Sequence, residues 1–338
     1  MRQLPAAHIL QTWDWGEFKR ETTGWQPTRL AFERDGIPLA LASVGMRGLG
    51  PFRVLYVSKG PVLDYSDEPI FQAVLDALES RARDMGAVWL KIDPDIVLAT
   101  GVPGGADDKT NAFGHRIIEQ LKDRGWRFSD AQVQFRNTIK FDLSRTEDEL
   151  LMAMSGNTRR KIRVAEKKGV TVRAAGDDDL SILYQLYRIT AARDGFLIRR
   201  YDYYKRAWQA FMHDRLAHAL IAEYKGEPIA HVILFHFGRT CWYFYGASGD
   251  RERQRMPNYL LQWEAIKWAK AQGYANYDMW GAPDVFDESD SLWGVYQFKR
   301  GFRGQVLRHI GAWDYAPRPW LYDAYVKLAP RLLGLLRK

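Results

Sequence analysis

Two stretches of this chain carry the same succession of apolar and polar positions. Leu30–Ala40 (LAFERDGIPLA) and Leu220–Ala230 (LIAEYKGEPIA) each read as an apolar run, a charged residue with glycine, and a second apolar run. That pattern predicts strand, tight turn, strand. Gly36 matches Gly226, Pro38 matches Pro228 and Ala40 matches Ala230. A further strand follows in each copy, RVLYVSKGP at 53–61 and CWYFYGAS at 241–248. Next come apolar residues spaced by three and four, Ile70, Val74 and Leu78 in one copy and Leu261, Ala265 and Trp268 in the other. This spacing predicts a helix with one buried face. Gly86 and Gly273 end the helices, and AVWLKID and YANYDMW read as strands after them. Helical material precedes each copy, at 7–21 and 178–193.

The chain is therefore a tandem of two α+β (α/β mixed-sheet) units. Each resembles an N-acetyltransferase-like (GNAT) fold. The boundaries predicted are 1–145 for the first unit, 146–316 for the second, and 317–338 for a tail opened by Pro317 and Pro319. The glycine-rich GVPGGADDKTNAFG at 101–114 reads as a loop.

Composition sets bounds on this picture. With 338 residues, 46% hydrophobic and 27% charged, the chain has enough apolar content for two packed cores. It has no apolar run long enough for a membrane-spanning helix, and its N-terminal segment does not read as a secretory signal. The single cysteine, Cys241, excludes an intramolecular disulfide and any multi-cysteine metal site. A cytoplasmic location is the expectation.

The net charge of +8 is local: residues 155–173 are net +6 and 318–338 net +4, leaving the rest at −2. Such patches suit phosphates, nucleic acid or an anionic membrane face, or else form a solvated helix face. No phosphate loop, HExxH helix or GxSxG elbow is present. His231 and His236, five apart on a predicted strand, face opposite sides and make no metal pair. A coenzyme A pyrophosphate needs a glycine-rich helix start. The corresponding stretches, RERQRMPNYLLQWEA at 251–265 and DYSDEPIFQAV, lack glycine, and Pro257 removes a donor.

Four stretches together resemble the Fem (FemABX) family of peptidyltransferases. They are LQTWDWGEFKRETTGW at 10–25, MSGNTRRKIRVAEKKGV at 154–170, YFYGAS with LLQWEAIKWAKAQGYANYDMWG within 243–281, and VYQFKRGFRG at 295–304. The resemblance implies a tandem GNAT-like enzyme of the short type, without a coiled-coil arm. It implies transfer of an amino acid from aminoacyl-tRNA to the side-chain amine of a peptidoglycan precursor's stem peptide, the precursor being nucleotide- or lipid-linked. The ester is already activated, so neither cofactor nor metal is expected. The protein's task is alignment and oxyanion stabilisation. The first unit is expected to bind precursor, the second to carry transfer, and the chain to act as a monomer.

By the same resemblance, Lys299 in Phe298-Lys299-Arg300-Gly301-Phe302, expected after the last strand of the second unit, lies at the transfer centre. Its ammonium either stabilises the carbonyl oxyanion or binds the tRNA end; Phe298 shapes the pocket or packs the core. Asp93 resembles the acidic residue near the acceptor amine, there to orient it or relay its proton, or is a turn residue before Pro94. Lys19, and Arg199 with Tyr203, resemble residues holding the nucleotide-sugar diphosphate, with Arg193 and Arg200 as substitutes for Arg199. Leu197 stands where a small polar contact is expected. Tyr243 or Tyr245 lines the same groove, and strand alternation puts both on one face.

Arg160, Arg163 and Lys167 share a helix face suited to tRNA phosphates. The tail, with Trp320, Leu321, Tyr325, Leu328 and Leu332 among Lys327, Arg331, Arg337 and Lys338, either rests on the cytoplasmic membrane face or packs on the second unit. Two competing readings are an acyl-coenzyme A N-acyltransferase and a non-catalytic binder of cell-wall precursor or RNA. The glycine-free helix starts oppose the former and the Phe-Lys-Arg-Gly-Phe motif the latter.

Overall fold

The computed structural model describes residues 1–49 and 52–335, with side chains for all of these except Leu49 and 328–335. The side chains of Leu328, Arg331 and Leu332, and all of Arg337 and Lys338, therefore lie outside the described residues. The chain forms two compact units. One is Met1–Ala99 with Lys109–Arg136 and Arg308–Lys338; the other is Thr100–Asp108 with Asn137–Leu307.

The repeat seen in sequence is a structural repeat. Strands Gln26–Arg34 and Ile37–Leu49 pair antiparallel in the first unit, as do Ala217–Tyr224 and Glu227–Phe237 in the second. Both turn residues of each hairpin have positive φ: Asp35 at 53° and Gly36 at 75°, Lys225 at 53° and Gly226 at 80°. That is the type I′ geometry whose twist matches paired strands. The two hairpins also share a bulge. Pairing steps from Phe32↔Ala40 to Glu33↔Pro38, and from Ala222↔Ala230 to Glu223↔Pro228. A proline has no N–H for the ladder, and a bulge is where a sheet accommodates it.

After the hairpin each unit adds an antiparallel strand, a helix and a parallel strand. In the first unit Phe52–Val57 runs parallel to Trp89–Ile92 across helix Glu68–Asp84. That helix starts at Asp67, whose side chain accepts from the Ile70 N–H, and buries Phe71, Val74, Leu75, Leu78 and Ala82. Gly86, at φ 60°, lets the chain turn away after it. In the second unit Thr240–Ser248 runs parallel to Asn276–Asp278 across helix Pro257–Ala271.

The next strand in each sheet comes from a distant part of the chain. Trp313–Tyr315 lies antiparallel to Trp89–Ile92, and Asn137–Asp142 antiparallel to Asn276–Asp278. Beyond them in sheet order lie Arg127–Phe128 and Gln305–His309 respectively. Buried Lys91 and Asp314 form an ion pair of 2.8 Å across one of these junctions.

Four expectations need correction. The second unit ends at Leu307 rather than 316, and the first ends its central stretch at Arg136 rather than 145, because strand 137–142 joins the second unit's sheet and strand 313–315 the first unit's. The tail forms helix Pro319–Leu335 and packs on the first unit, not the second: Tyr322 bonds Asp314 at 2.9 Å and Arg127 pairs with Asp323 at 2.8 Å. Helix Ala112–Asp123 begins inside the expected loop, capped by Asn111. Lys299 ends a short helix, Trp293–Lys299, ahead of strand Gln305–His309 rather than after the last strand.

Among the described residues no helix is long and apolar enough to cross a membrane, and no group of histidine, cysteine or carboxylate side chains is arranged to hold a metal.

Candidate functional site

In the first unit, the carboxyl ends of the parallel strands bring Asp93 against Ser58 and Lys59. Asp93 is 3% exposed. Its carboxylate accepts the Tyr56 hydroxyl at 2.5 Å and the Lys59 backbone N–H at 2.5 Å. Burial pushes its pKa up to about 6, against the pull of Lys59 and the Tyr56 hydrogen bond. The Lys59 ammonium turns to Asp95, at 2.7 Å, and to the Phe135 carbonyl, at 2.9 Å. His8 and His309 approach the same Asp95 at 3.9 and 3.7 Å. Burial alone would raise Asp95, but Lys59, His309 and His8 hold it well below the usual carboxylate range. Asp95 is thus fixed as a charge while Asp93, two residues away, is free to titrate near neutrality. Lys19 lies on helix Trp13–Thr23 of the same unit, its ammonium 5.4 Å from the Trp15 ring and 5.9 Å from the Phe18 ring.

In the second unit the parallel pairing lasts only from Thr240↔Asn276 to Trp242↔Asp278. Beyond that point the Lys299 ammonium donates to the carbonyl of Gly281 at 2.7 Å and to that of Trp280. It lies 5.8 Å from the Tyr243 ring. Lys299 is 4% exposed, and burial lowers its pKa to about 7, with Asp278 opposing. Asp278 is itself held by Thr138 and by the Trp280 N–H at 2.8 Å. Trp280 has φ 52°, a left-handed backbone rare for an aromatic residue. Phe298, the neighbour of Lys299, is half-buried and stacks edge-on with Tyr259 and Phe302, at 5.0 and 5.3 Å, against the core.

The two tyrosines of the YFYGAS strand have different surroundings. Register steps from Ile233↔Tyr245 to Leu234↔Tyr243, so Phe244 is an extra, bulged residue. The simple alternation expected there is broken. Tyr243 faces Lys299 and covers Gly246, where a Cβ would sit 1.9 Å from its hydroxyl oxygen; only glycine fits. Tyr245 joins an aromatic cluster with Tyr187, Tyr204 and Trp208 at 5.8–5.9 Å. Arg199 and Tyr203 border that cluster: the guanidinium stands 4.8 Å over the Tyr203 ring, and the Tyr203 and Tyr204 rings are 5.3 Å apart.

Of the substitutes for Arg199, Arg193 is committed elsewhere, binding the Ser248 carbonyl at 3.0 Å and Asp250 at 3.1 Å. Arg200 precedes helix Tyr201–His213 and is exposed. Leu197 is 95% exposed. Arg160, Arg163 and Lys167 lie exposed on helix Gly156–Lys167, which Ser155 caps.

Tyr56, Lys59, Asp95, His8 and His309 around Asp93, and Thr138, Asp278 and Trp280 around Lys299, carried no sequence signal strong enough to select them. The nearest to one is the Ser58-Lys59-Gly60-Pro61 break after a strand. The helix start at Pro257 follows Glu252 and Met256, both left-handed, and no side chain caps it.

The FemAB family profile matches residues 1–225 and 214–329. The chain is 26% identical to a lipid II:glycine glycyltransferase of Staphylococcus aureus (strain USA300), over 98% of this chain and 93% of that protein. Its fold superposes on the crystal structure of FemX with a TM-score of 0.84 at 24% identity, covering 96% of each chain. A tandem GNAT protein from the clavulanic acid biosynthesis pathway matches with a TM-score of 0.54 at 12% identity, over 93% of this chain and 97% of the other.

Proposed function

The chain belongs to the FemAB family, and from that premise we propose that it is an aminoacyltransferase of peptidoglycan bridge synthesis. It moves an amino acid from aminoacyl-tRNA to the side-chain amine of a precursor's stem peptide. The observation that carries this reading is the buried ammonium of Lys299, a residue of the family motif, held by the carbonyl oxygens of Trp280 and Gly281. The full-length similarity to a glycyltransferase that acts on lipid II supports it.

In the reaction, the amine nitrogen attacks the ester carbonyl carbon and negative charge develops on the carbonyl oxygen. The bond to the terminal ribose oxygen then breaks, and the amine's proton ends on that leaving oxygen. A lysine ammonium in a dry setting stabilises the developing charge strongly, because no water competes and the donor is already oriented. We assign Lys299 that role. Phe298 braces the motif through Tyr259 and Phe302. Asp93, raised to about 6 by burial, orients the acceptor amine or takes its proton.

Lys19 in the first unit, and Arg199 with Tyr203 and Tyr245 in the second, bind the diphosphate and sugar of the precursor; Tyr243 belongs with Lys299. Arg160, Arg163 and Lys167 contact tRNA phosphates. Exposed Trp320 and the nearby Lys327 support peripheral contact with the cytoplasmic membrane face, where a lipid-linked acceptor lies.

The test is mass spectrometry of products formed when a charged tRNA pool and acetyl-coenzyme A are offered side by side with nucleotide-linked and lipid-linked precursors. A precursor heavier by one amino-acid residue, dependent on the tRNA, is the expected product. Acetylation in its place would make the chain a coenzyme A-dependent transferase, and no product with any donor would leave it a binding protein.

A further inference from the structure

A pocket of about 410 Å³ opens in the second unit at the ends of strands Asn137–Asp142, Asn276–Asp278 and Gln305–His309. We propose that this pocket is a phosphate subsite for the RNA backbone of the donor, a proposal that rests on the aminoacyl-tRNA reading above and extends it.

Three cations line the pocket: Lys140, Arg145 and Arg303. None of the three makes a side-chain hydrogen bond or ion pair among the described residues. Several other basic residues of this unit are committed: Arg173 to Asp179 and Glu223, Arg255 to Glu252, and Lys270 to the Leu143 carbonyl. Like charges gathered on one concavity repel, the Arg145 charge being offset in part by Asp142 and Glu149, and an anion relieves what remains. The one carboxylate in the lining, Asp142, accepts the Ser144 N–H at 2.9 Å. Asn276 and Gln305 add neutral amide donors, and Phe141, Leu150 and Leu307 an apolar floor for sugar. A volume of this order suits a small ligand fragment.

Two features point to a nucleic-acid backbone rather than the precursor's diphosphate. First, Arg145 and Arg303 are exposed and Lys140 is half-buried, which fits a strand lying across an open site better than an enclosed diphosphate. Second, the pocket is continuous with elements given to the donor. Lys140 is the cross-strand partner of Asp278, whose charge acts on Lys299. On the other side, Arg303 follows Gly301, whose carbonyl accepts the Ser155 N–H at 2.9 Å where helix Gly156–Lys167 begins. Arg303 thus stands close in sequence to the contact that meets the start of the helix carrying Arg160 and Arg163, and in the same segment as Lys299.

The experiment is fluorescence anisotropy of the full chain with a labelled, uncharged acceptor-stem RNA hairpin ending in single-stranded CCA, across a series of salt concentrations. Calorimetry with the nucleotide-linked precursor runs in parallel. The variants are Arg145→Glu/Arg303→Glu, the milder Lys140→Gln, and the exposed hairpin-turn control Lys225→Glu, each checked for fold by circular dichroism. The double reversal should weaken RNA binding by at least about thirtyfold near 0.1 M salt and flatten the log–log salt slope by about 2. Lys140→Gln should flatten it by about 1, and Lys225→Glu should change little. Wild-type affinity and slope in the pocket variants would overturn the proposal while leaving the RNA donor intact. Loss of precursor binding with unchanged RNA binding would assign the pocket to the acceptor and overturn it too. A wild-type chain that binds no RNA at all would remove the donor reading itself, and the subsite with it.

Discussion

The two units share their hairpin down to the bulge beside the matched proline, yet differ in which buried group is pushed toward neutrality where their parallel strands end. In the first unit a carboxylate sits there: Asp93, buried and raised to about 6. In the second it is an ammonium, Lys299, buried and lowered to about 7. Burial drives both shifts, each toward the neutral form. The partners differ as well. Asp93 is held by an N–H and a hydroxyl, both donors, and Lys299 by two carbonyls, both acceptors. Both strand ends are dry and hold buried groups of both signs, Asp93 with Lys59 and Asp278 with Lys299, and local partners decide which group burial pushes toward its neutral form.

The comparison is tested most severely at Lys299. Lys299→Met keeps the aliphatic stem and removes the charge. It should lower the single-turnover transfer rate by about a hundredfold or more, since one oxyanion donor contributes roughly 3–4 kcal/mol to the transition state. Lys299→Arg should rescue poorly, because a forked guanidinium does not replace a compact ammonium. The assay uses purified aminoacyl-tRNA and precursor, both saturating. A deficit that fades as tRNA is raised would make Lys299 a binding residue, and a near wild-type rate would remove it from catalysis.

The opposite charges also predict opposite pH limbs. In the role proposed for it Asp93 acts ionised, so the rate should rise with pH through about 6. In its proposed role Lys299 acts protonated, so the rate should fall as pH passes about 7. The wild-type profile is then a narrow bell. Asp93→Asn should lose the acidic limb and Lys299→Met the alkaline one. A profile whose limbs both survive in either variant would break the assignment.

Arg199→Ala and Lys19→Ala should weaken precursor binding more than they slow transfer. Each removes a charge-assisted contact of roughly 1.5–3 kcal/mol. Calorimetry with the nucleotide-linked precursor checks this, and unchanged affinity in both variants would take them out of the site.

The smallest expected effect probes the shared frame. A Cβ on Gly36 or Gly226 would meet nothing within 4 Å, so alanine there is penalised only by its left-handed backbone. Gly36→Ala and Gly226→Ala should each cost about 1 kcal/mol, and nearly the same amount, in chemical denaturation. If the two unfold as separate transitions, each variant should shift only its own. A large difference between the two costs would show that the hairpins are not equivalent.

Local pattern alone determined the hairpins, their turn glycines, the helices closed by Gly86 and Gly273, and the basic helix, because these depend on near neighbours and on side-chain periodicity. Lys299 and Asp93 were singled out by the resemblance to the Fem family, not by periodicity or composition. Tertiary structure alone decided what surrounds them. Thr138 reaches Asp278, and His8 and His309 reach Asp95, across sequence separations that no periodicity encodes. The same holds for the strands at 137–142 and 313–315, whose sheet partners are set by long-range pairing, so the boundaries read at 145 and 316 were misplaced. The bulge at Phe244 is the sharpest case. One inserted residue leaves composition and alternation looking regular, yet it sends Tyr243 to Lys299 and Tyr245 to the aromatic cluster, because a strand's facing depends on register with its neighbour and not on its own sequence.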